Sequence, residues 1–144
     1  MRALMTEFSI PIRVYIEDTD AGGIVYYVNY LKFMERVRTE FIRHLGFQHN
    51  KLMEENLLFV VHSADVKYLS PARIDQQLVS VLQIQALGKA SIVFAQQVKR
   101  ADTQQILCQA IIKVACVNPT TFKPRSISPV LAEALKRYQE EVTP

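Results

Sequence analysis

Three carboxylates fall within four positions in Glu17-Asp18-Thr19-Asp20, and Ala21, Gly22 and Gly23 follow them. An alternating apolar run precedes this stretch and an amphipathic run follows it. The acids therefore lie between a strand and the start of a helix. A carboxylate before a helix N-terminus faces free backbone N–H groups and the positive end of the helix dipole. The same N–H groups can hold a carbonyl oxygen that becomes negative during reaction. Gly22 and Gly23 permit tight or left-handed backbone and leave room for a substrate to approach. A carboxylate opposite an oxyanion site suffices for acyl transfer. It attacks the carbonyl or activates a water, while the N–H groups stabilise the tetrahedral intermediate. The alternative is local, because Asp side chains also bond neighbouring N–H groups in turns and before helices.

The rest of the chain offers little other chemistry. The stretch from Asp18 to Gly23 lacks the further ligands and closing Glu of a calcium loop. None of the three histidines, His44, His49 and His62, has metal-ligand spacing with another His or Cys, so all three read as structural and no metal site is expected. Ser63 and Ser70 have no triad partners at recognisable positions. The two cysteines, Cys108 and Cys116, lie an even distance apart in an apolar run and are expected to be buried, reduced and on one face.

The elements that would position the acidic turn can be read from periodicity. Phe8, Ile10, Ile12, Val14 and Ile16 alternate with Ser9, Pro11, Arg13, Tyr15 and Glu17, which predicts a strand with one buried face. Pro11 belongs where no ladder donor is needed. Tyr30, Met34, Val37, Phe41 and Leu45 recur at helical spacing, with Leu31, Phe33 and Ile42 widening the apolar side, over about four or five turns. Asn29 is a candidate cap, Arg36 and Glu40 a candidate i,i+4 pair, and Gly46 a C′ residue. A short second helix is expected in Gln48–Asn56.

From Leu57 onward the period falls to two. "SPARIDQ" reads as a loop, Leu78–Ala86 as a strand, and Gly88-Lys89 as a two-residue type II′ hairpin turn. Ser91–Arg100 returns, and Ile106, Cys108, Ala110, Ile112, Val114 and Cys116 line one face of the last long strand. "NPTTFKPRSISP" reads as irregular chain. A terminal helix from about Pro129 to Glu140 would be capped by Ser128 with Pro129 at N1. This order predicts a single α+β domain spanning 1–144, with one antiparallel sheet wrapped around one long helix. Val79 and Val81 are apolar beside Leu82 and Ile84. Both faces of the sheet then need cover, and a homo-oligomer is expected.

Composition narrows the class. The chain has 144 residues and is 49% apolar, enough for one sizeable core and too apolar for disorder. Its net charge of +3 is spread over scattered Lys and Arg, which argues against a nucleic-acid-binding arm. No apolar run approaches the ~18 residues of a membrane span. Glu7 interrupts the N-terminal stretch, which lacks the continuous apolar run and cleavage site of a secretory leader, so a cytoplasmic location is expected.

Tyr15, Glu17-Asp18-Thr19-Asp20, Gly22 or Gly23, Val25-Tyr26, Tyr30, Glu35 and Arg38 resemble the signature of hotdog-fold acyl-CoA thioesterases. "VKYLSPARIDQQL", "GKASIVF" and "KPRSIS" resemble later segments of the YbgC (Tol-Pal-associated) branch of the 4-hydroxybenzoyl-CoA thioesterase family. The match runs through nearly the whole chain in order. The resemblance implies Asp20 as the catalytic carboxylate, Asp18 as a structural one, and an oxyanion contact from the backbone N–H of Tyr27, with Gly23 beside the substrate. Many members of the Tol-Pal branch carry His where this chain has Tyr27. A backbone role survives that change, whereas an imidazole role does not.

By the same resemblance Ser91 lies near the active site, against the alternative of a strand hydroxyl facing Thr or water. Lys89, and with less support Lys123 and Arg125, would meet a phosphate of coenzyme A, against the alternative of solvated turn cations. No cofactor is implied, since coenzyme A enters as part of the acyl-CoA substrate. The site is implied to lie at a subunit interface of a homodimer or homotetramer. An acyl carrier protein or the cell-envelope machinery is implied as a further partner. Two other readings remain open. One is a hotdog enoyl-CoA hydratase, which typically pairs Asp with His, although no His follows Asp20 within the turn. The other is a non-catalytic acyl or acyl-carrier binding module.

Overall fold

In the computed structural model, residues 4–140 and 142–143 are described; residues 1–3, at the head of the N-terminal stretch considered above, lie outside them. In chain order these residues form β1 (Leu4–Met5), β2 (Phe8–Arg13), a 3-10 turn (Ile16–Asp18), α1 (Val28–His44), α2 (His49–Glu54), β3 (Leu58–Tyr68), β4 (Gln77–Leu87), β5 (Ser91–Arg100), β6 (Ile106–Val117), α3 (Pro129–Glu140) and β7 (Val142–Thr143). β1 and β7 pair as a small antiparallel ribbon. The main sheet has five antiparallel strands in the order β2-β4-β5-β6-β3. Its two edges are therefore β2, which carries Pro11, and β3.

The apolar face of α1 explains its position. Tyr30, Phe33, Met34, Val37 and Phe41 are buried, and the helix packs on β2, β4 and β5. Phe8, Phe94 and Tyr138 stack around Phe41 at ring distances of 5.5, 6.1 and 4.8 Å, which joins α3 to the same core. Leu78, Leu82, Ile84, Ile92, Phe94, Cys108, Ile112 and Cys116 supply the sheet side of that core. Both cysteines are free and buried. Gly46 ends the helix with φ +95°, a conformation that glycine adopts without a Cβ penalty. Among the described residues no helix is long and apolar enough to cross a membrane.

Several local expectations fail for physical reasons. The first strand stops at Arg13, and Ile16 is 76% exposed. Asp18 Oδ2 accepts the Tyr15 N–H at 2.8 Å and the Thr19 hydroxyl donates to Ile16 O at 2.7 Å, so local bonds turn the chain before the alternation ends. Gly88 lacks the positive φ of a type II′ turn; Leu87 pairs with Ile92 and Gly88 N–H donates to Ser91 O at 2.8 Å, so the two turn residues are Lys89 and Ala90, one position later than expected. Glu40 pairs with Arg43 rather than Arg36, whose guanidinium lies 5.7 Å from the Phe33 ring centre. Ser128 Oγ is buried without a hydrogen-bond partner and does not cap α3, although its carbonyl accepts the Ala132 N–H.

Candidate active site

The acidic turn is a closed local structure at the entrance to α1. Thr19 and Val25 form an antiparallel bridge, and Asp20 N–H donates to Ile24 O at 2.9 Å. Asp20 Oδ1 accepts the Gly22 N–H at 2.9 Å, while the carboxylate as a whole is exposed. Gly23 has φ +75°, which lets the chain reverse between Asp20 and Ile24. The Asp18 carbonyl accepts both the Tyr26 N–H and Asn29 Nδ2, each at 2.9 Å. Asn29 is thus inside the helix and ties it to the turn, and Tyr27 occupies the N-cap position with helical φ and ψ. The Tyr27 N–H makes no hydrogen bond among the described residues, so a free donor stands at the helix entrance. Asp20 and this donor flank the same small turn.

A second segment clamps that turn. Val25 N–H donates to Ala72 O at 2.9 Å, Ile24 bridges Arg73, and Asp75 N–H donates to Val14 O. Ala72 N–H in turn donates to the Tyr30 hydroxyl at 2.9 Å, a bond 42 residues apart in sequence. Burial raises the Tyr30 pKa, and this hydrogen bond opposes the shift. Tyr30→Phe strands the buried Ala72 N–H. It is expected to lower stability by about 1–3 kcal/mol, read as a lower denaturant midpoint at unchanged slope. An unchanged midpoint would show that the hydroxyl does not hold this loop.

Around the turn stand four tyrosines. The ring of Tyr27 lies 5.0 Å from Tyr26 and 5.8 Å from Tyr68, which is itself 5.9 Å from Tyr30. Deeper under α1, buried polar groups lock the helix to the sheet. Ser80 Oγ donates to Phe33 O at 2.9 Å, and Gln96 Nε2 donates to Met34 O at 3.0 Å. Arg38 Nη1 donates to Gln96 Oε1 at 2.8 Å. Burial pulls the Arg38 pKa down, and nearby Glu35 counters it. Sequence reading passed over Ser80 and Gln96, although each is a polar residue on the face that alternation assigns to the core. Burial pushes the Cys108 thiol up to about 11, which leaves it an unreactive wall behind Tyr30 and Tyr68.

Lys89 and Ser91 lie elsewhere. The acidic turn sits where β4 begins, whereas these two sit where β4 ends. The eleven residues of β4 put on the order of 30 Å of strand between them. Within one chain, Asp20, Tyr27 and Gly23 are together and Lys89 and Ser91 are apart from them. Lys89 has company, however. Its carbonyl accepts the Ile127 N–H, Ala90 O accepts the Cys116 N–H, and Cys116 O accepts the Arg125 N–H. A bridge from Val117 to Pro124 completes the pairing, so Lys89, Lys123 and Arg125 gather at one end of the molecule. Between the second half of α1, α2 and the near ends of β3, β5 and β6 lies a cleft of about 270 Å³. Its polar lining comes from Glu35, Arg38, Thr39, Arg43, Gln48 and His49. Among the described residues, no group of three His, Cys, Asp or Glu side chains could hold a metal ion.

A five-stranded antiparallel sheet packed on one long helix, with a carboxylate turn at the helix entrance, defines the hotdog thioesterase class. Residues 14–135 match the family model of the thioesterase-like superfamily, and the chain belongs to that superfamily. Acyl-CoA thioester hydrolase YbgC of Escherichia coli O6:H1 is 41% identical over 132 residues, covering 92% of this chain and 98% of that protein. Acyl-CoA thioesterase YbgC of Haemophilus influenzae is 43% identical over 118 residues, covering 81% and 85%. The crystal structure of Slr0204, a 1,4-dihydroxy-2-naphthoyl-CoA thioesterase from Synechocystis, matches with a TM-score of 0.83 at 17% identity, over 91% of this chain and 96% of that one. This last match speaks for the fold alone.

Proposed function

We propose that this protein hydrolyses acyl-CoA thioesters to the free acid and coenzyme A, with Asp20 as the reacting carboxylate. The observation that carries the reading is an exposed carboxylate and an unpaired Tyr27 N–H on either side of one clamped turn. Gly22 N–H engages Asp20 Oδ1 and leaves Oδ2 to act. That oxygen either attacks the thioester carbonyl or takes a proton from an attacking water. The Tyr27 N–H, aided by the dipole of α1, donates to the carbonyl oxygen as it becomes negative. The C–S bond then breaks and coenzyme A leaves as thiolate; on the nucleophilic route water next cleaves the Asp20–acyl anhydride and frees the acid, and on either route the proton given up by that water goes to the thiolate. The relatives named as acyl-CoA thioester hydrolases, at 41% and 43% identity, support the activity.

The complete site takes two copies of the chain. β3 is an edge strand with unpaired backbone groups, and such an edge is a template for another chain. Two β3 edges related by a two-fold axis pair antiparallel, so the Tyr68 end of one lies beside the Leu58 end of the other. Tyr68 touches Tyr27, and Leu58 lines the cleft. Asp20 of one protomer thereby meets the cleft of its partner, along with the end that carries Ser91. Lys89, Lys123 and Arg125 are then placed to meet the phosphates of coenzyme A.

Purified protein given saturated and unsaturated acyl-CoA esters is expected to release free thiol and leave the double bond intact. Hydration of an enoyl-CoA without thiol release would move the protein to the hydratases. Binding of the esters with neither reaction would make it a carrier module. His44, at the far end of α1 against Phe8 and Tyr138, is out of reach of the hydratase role beside Asp20 in its own chain.

A further inference from the structure

Asn29 stands inside α1 rather than at its cap, and its bonds reach both arms of the site. The Tyr27 N–H and the Tyr26 carbonyl share one planar trans peptide, so they point in opposite directions. The Asn29 N–H donates to Tyr26 O at 2.8 Å. That bond holds the peptide plane and aims the Tyr27 N–H out of the helix end. The Asn29 side chain then fixes this plane to the acidic turn. Its Nδ2 donates to Asp18 O at 2.9 Å, and the same carbonyl accepts the Tyr26 N–H at 2.9 Å. One carbonyl close to Asp20 in the chain thus receives a bond from each side of Tyr27. Asn29 is 8% exposed, so water competes little for its amide. Asp20 itself is held without Asn29. Its N–H donates to Ile24 O, its Oδ1 accepts the Gly22 N–H, and Val25 N–H anchors the turn to Ala72 O. Loss of the Asn29 amide therefore leaves the turn intact and loosens its alignment with the helix.

We infer that Asn29 is a positioning residue for thioester hydrolysis: its side chain holds the Tyr27 donor in a fixed place relative to the Asp20 carboxylate. The inference rests on the thioesterase reading above and adds a residue to that site. Asn29 acts through the Tyr26–Tyr27 peptide and touches no reacting atom. Attack and oxyanion stabilisation need their groups aligned, and a misplacement of about 1 Å can cost on the order of a hundredfold in rate. Leucine at this position keeps the bulk of the side chain and removes the amide. Asp18 O keeps the Tyr26 N–H, so no buried group is stranded and the fold is expected to persist.

The test is kcat and KM for thiol release from acyl-CoA esters by wild type, Asn29→Leu and Asn29→Ala. Both changes are also made in the Asp20→Asn background, and rates are taken per folded protein by circular dichroism. Each single variant is expected to lose at least about tenfold in kcat, with KM within about twofold of wild type. In the Asp20→Asn background the same changes are expected to cost no more than about twofold, because no attacking carboxylate remains to be aligned. A residue that merely supported the fold would lower the active fraction by the same factor in either background. Wild-type kcat in either Asn29 variant, or equal losses in the two backgrounds, would overturn the inference and leave the thioesterase reading intact. No thiol released by wild type from any ester would overturn that reading, and the role of Asn29 with it.

Discussion

Asp20→Asn is expected to fold as the parent does and to release thiol from acyl-CoA at least about a hundredfold more slowly. Asparagine keeps the size of the side chain, and its Oδ1 can still accept the Gly22 N–H, so the turn survives. The side chain is exposed, and changes at such positions usually alter stability by no more than about 0.5 kcal/mol. What the amide lacks is the charge that attacks the carbonyl or removes a proton from water. Because that interaction belongs to the transition state, kcat and kcat/KM should fall together. Asp18→Asn makes a useful contrast. Its carboxylate accepts the Tyr15 N–H and shapes the 3-10 turn, so its loss acts on local structure.

Phe41→Ala is expected to have the largest effect on stability. The side chain is fully buried between Phe8, Phe94 and Tyr138, where β2, β5 and α3 meet α1. Removing a buried Phe costs about 3–5 kcal/mol, through lost transfer free energy and the cavity left behind. Domains of this kind are stable by only about 5–15 kcal/mol, so the loss takes a large share of the total. A melting temperature lower by on the order of 10 °C should follow. Unchanged melting would mean that these rings do not form the core.

The elements were legible because their signals are local. Period-two and period-3.6 runs, Gly46 after α1 and Pro129 at the start of α3 each act within a few residues. The acidic turn was legible for the same reason, since residues 15–29 hold one another. What escaped depends on distant chain. The loop at Ala72 reads as a simple connection until the Tyr30 hydroxyl meets it across 42 positions. The hairpin turn falls at Lys89-Ala90, whose carbonyls accept the Ile127 and Cys116 N–H groups, bonds that no dipeptide rule includes. Ser80 and Gln96 look like misplaced polar residues in strands until two carbonyls of α1 are found above them. The separation of Lys89 and Ser91 from Asp20 is a matter of topology, which only the strand order reveals.

The most direct measurement of the central claim is the rate of thiol release from the acyl-CoA ester that wild type cleaves fastest, by wild type and Asp20→Asn, at equal concentrations of protein shown to be folded by circular dichroism. Rapid release by wild type, and a rate at least about a hundredfold lower in the variant, is the result that catalysis by the turn carboxylate predicts. Equal rates in the two proteins would contradict it and leave Asp20 as a residue that only shapes the turn.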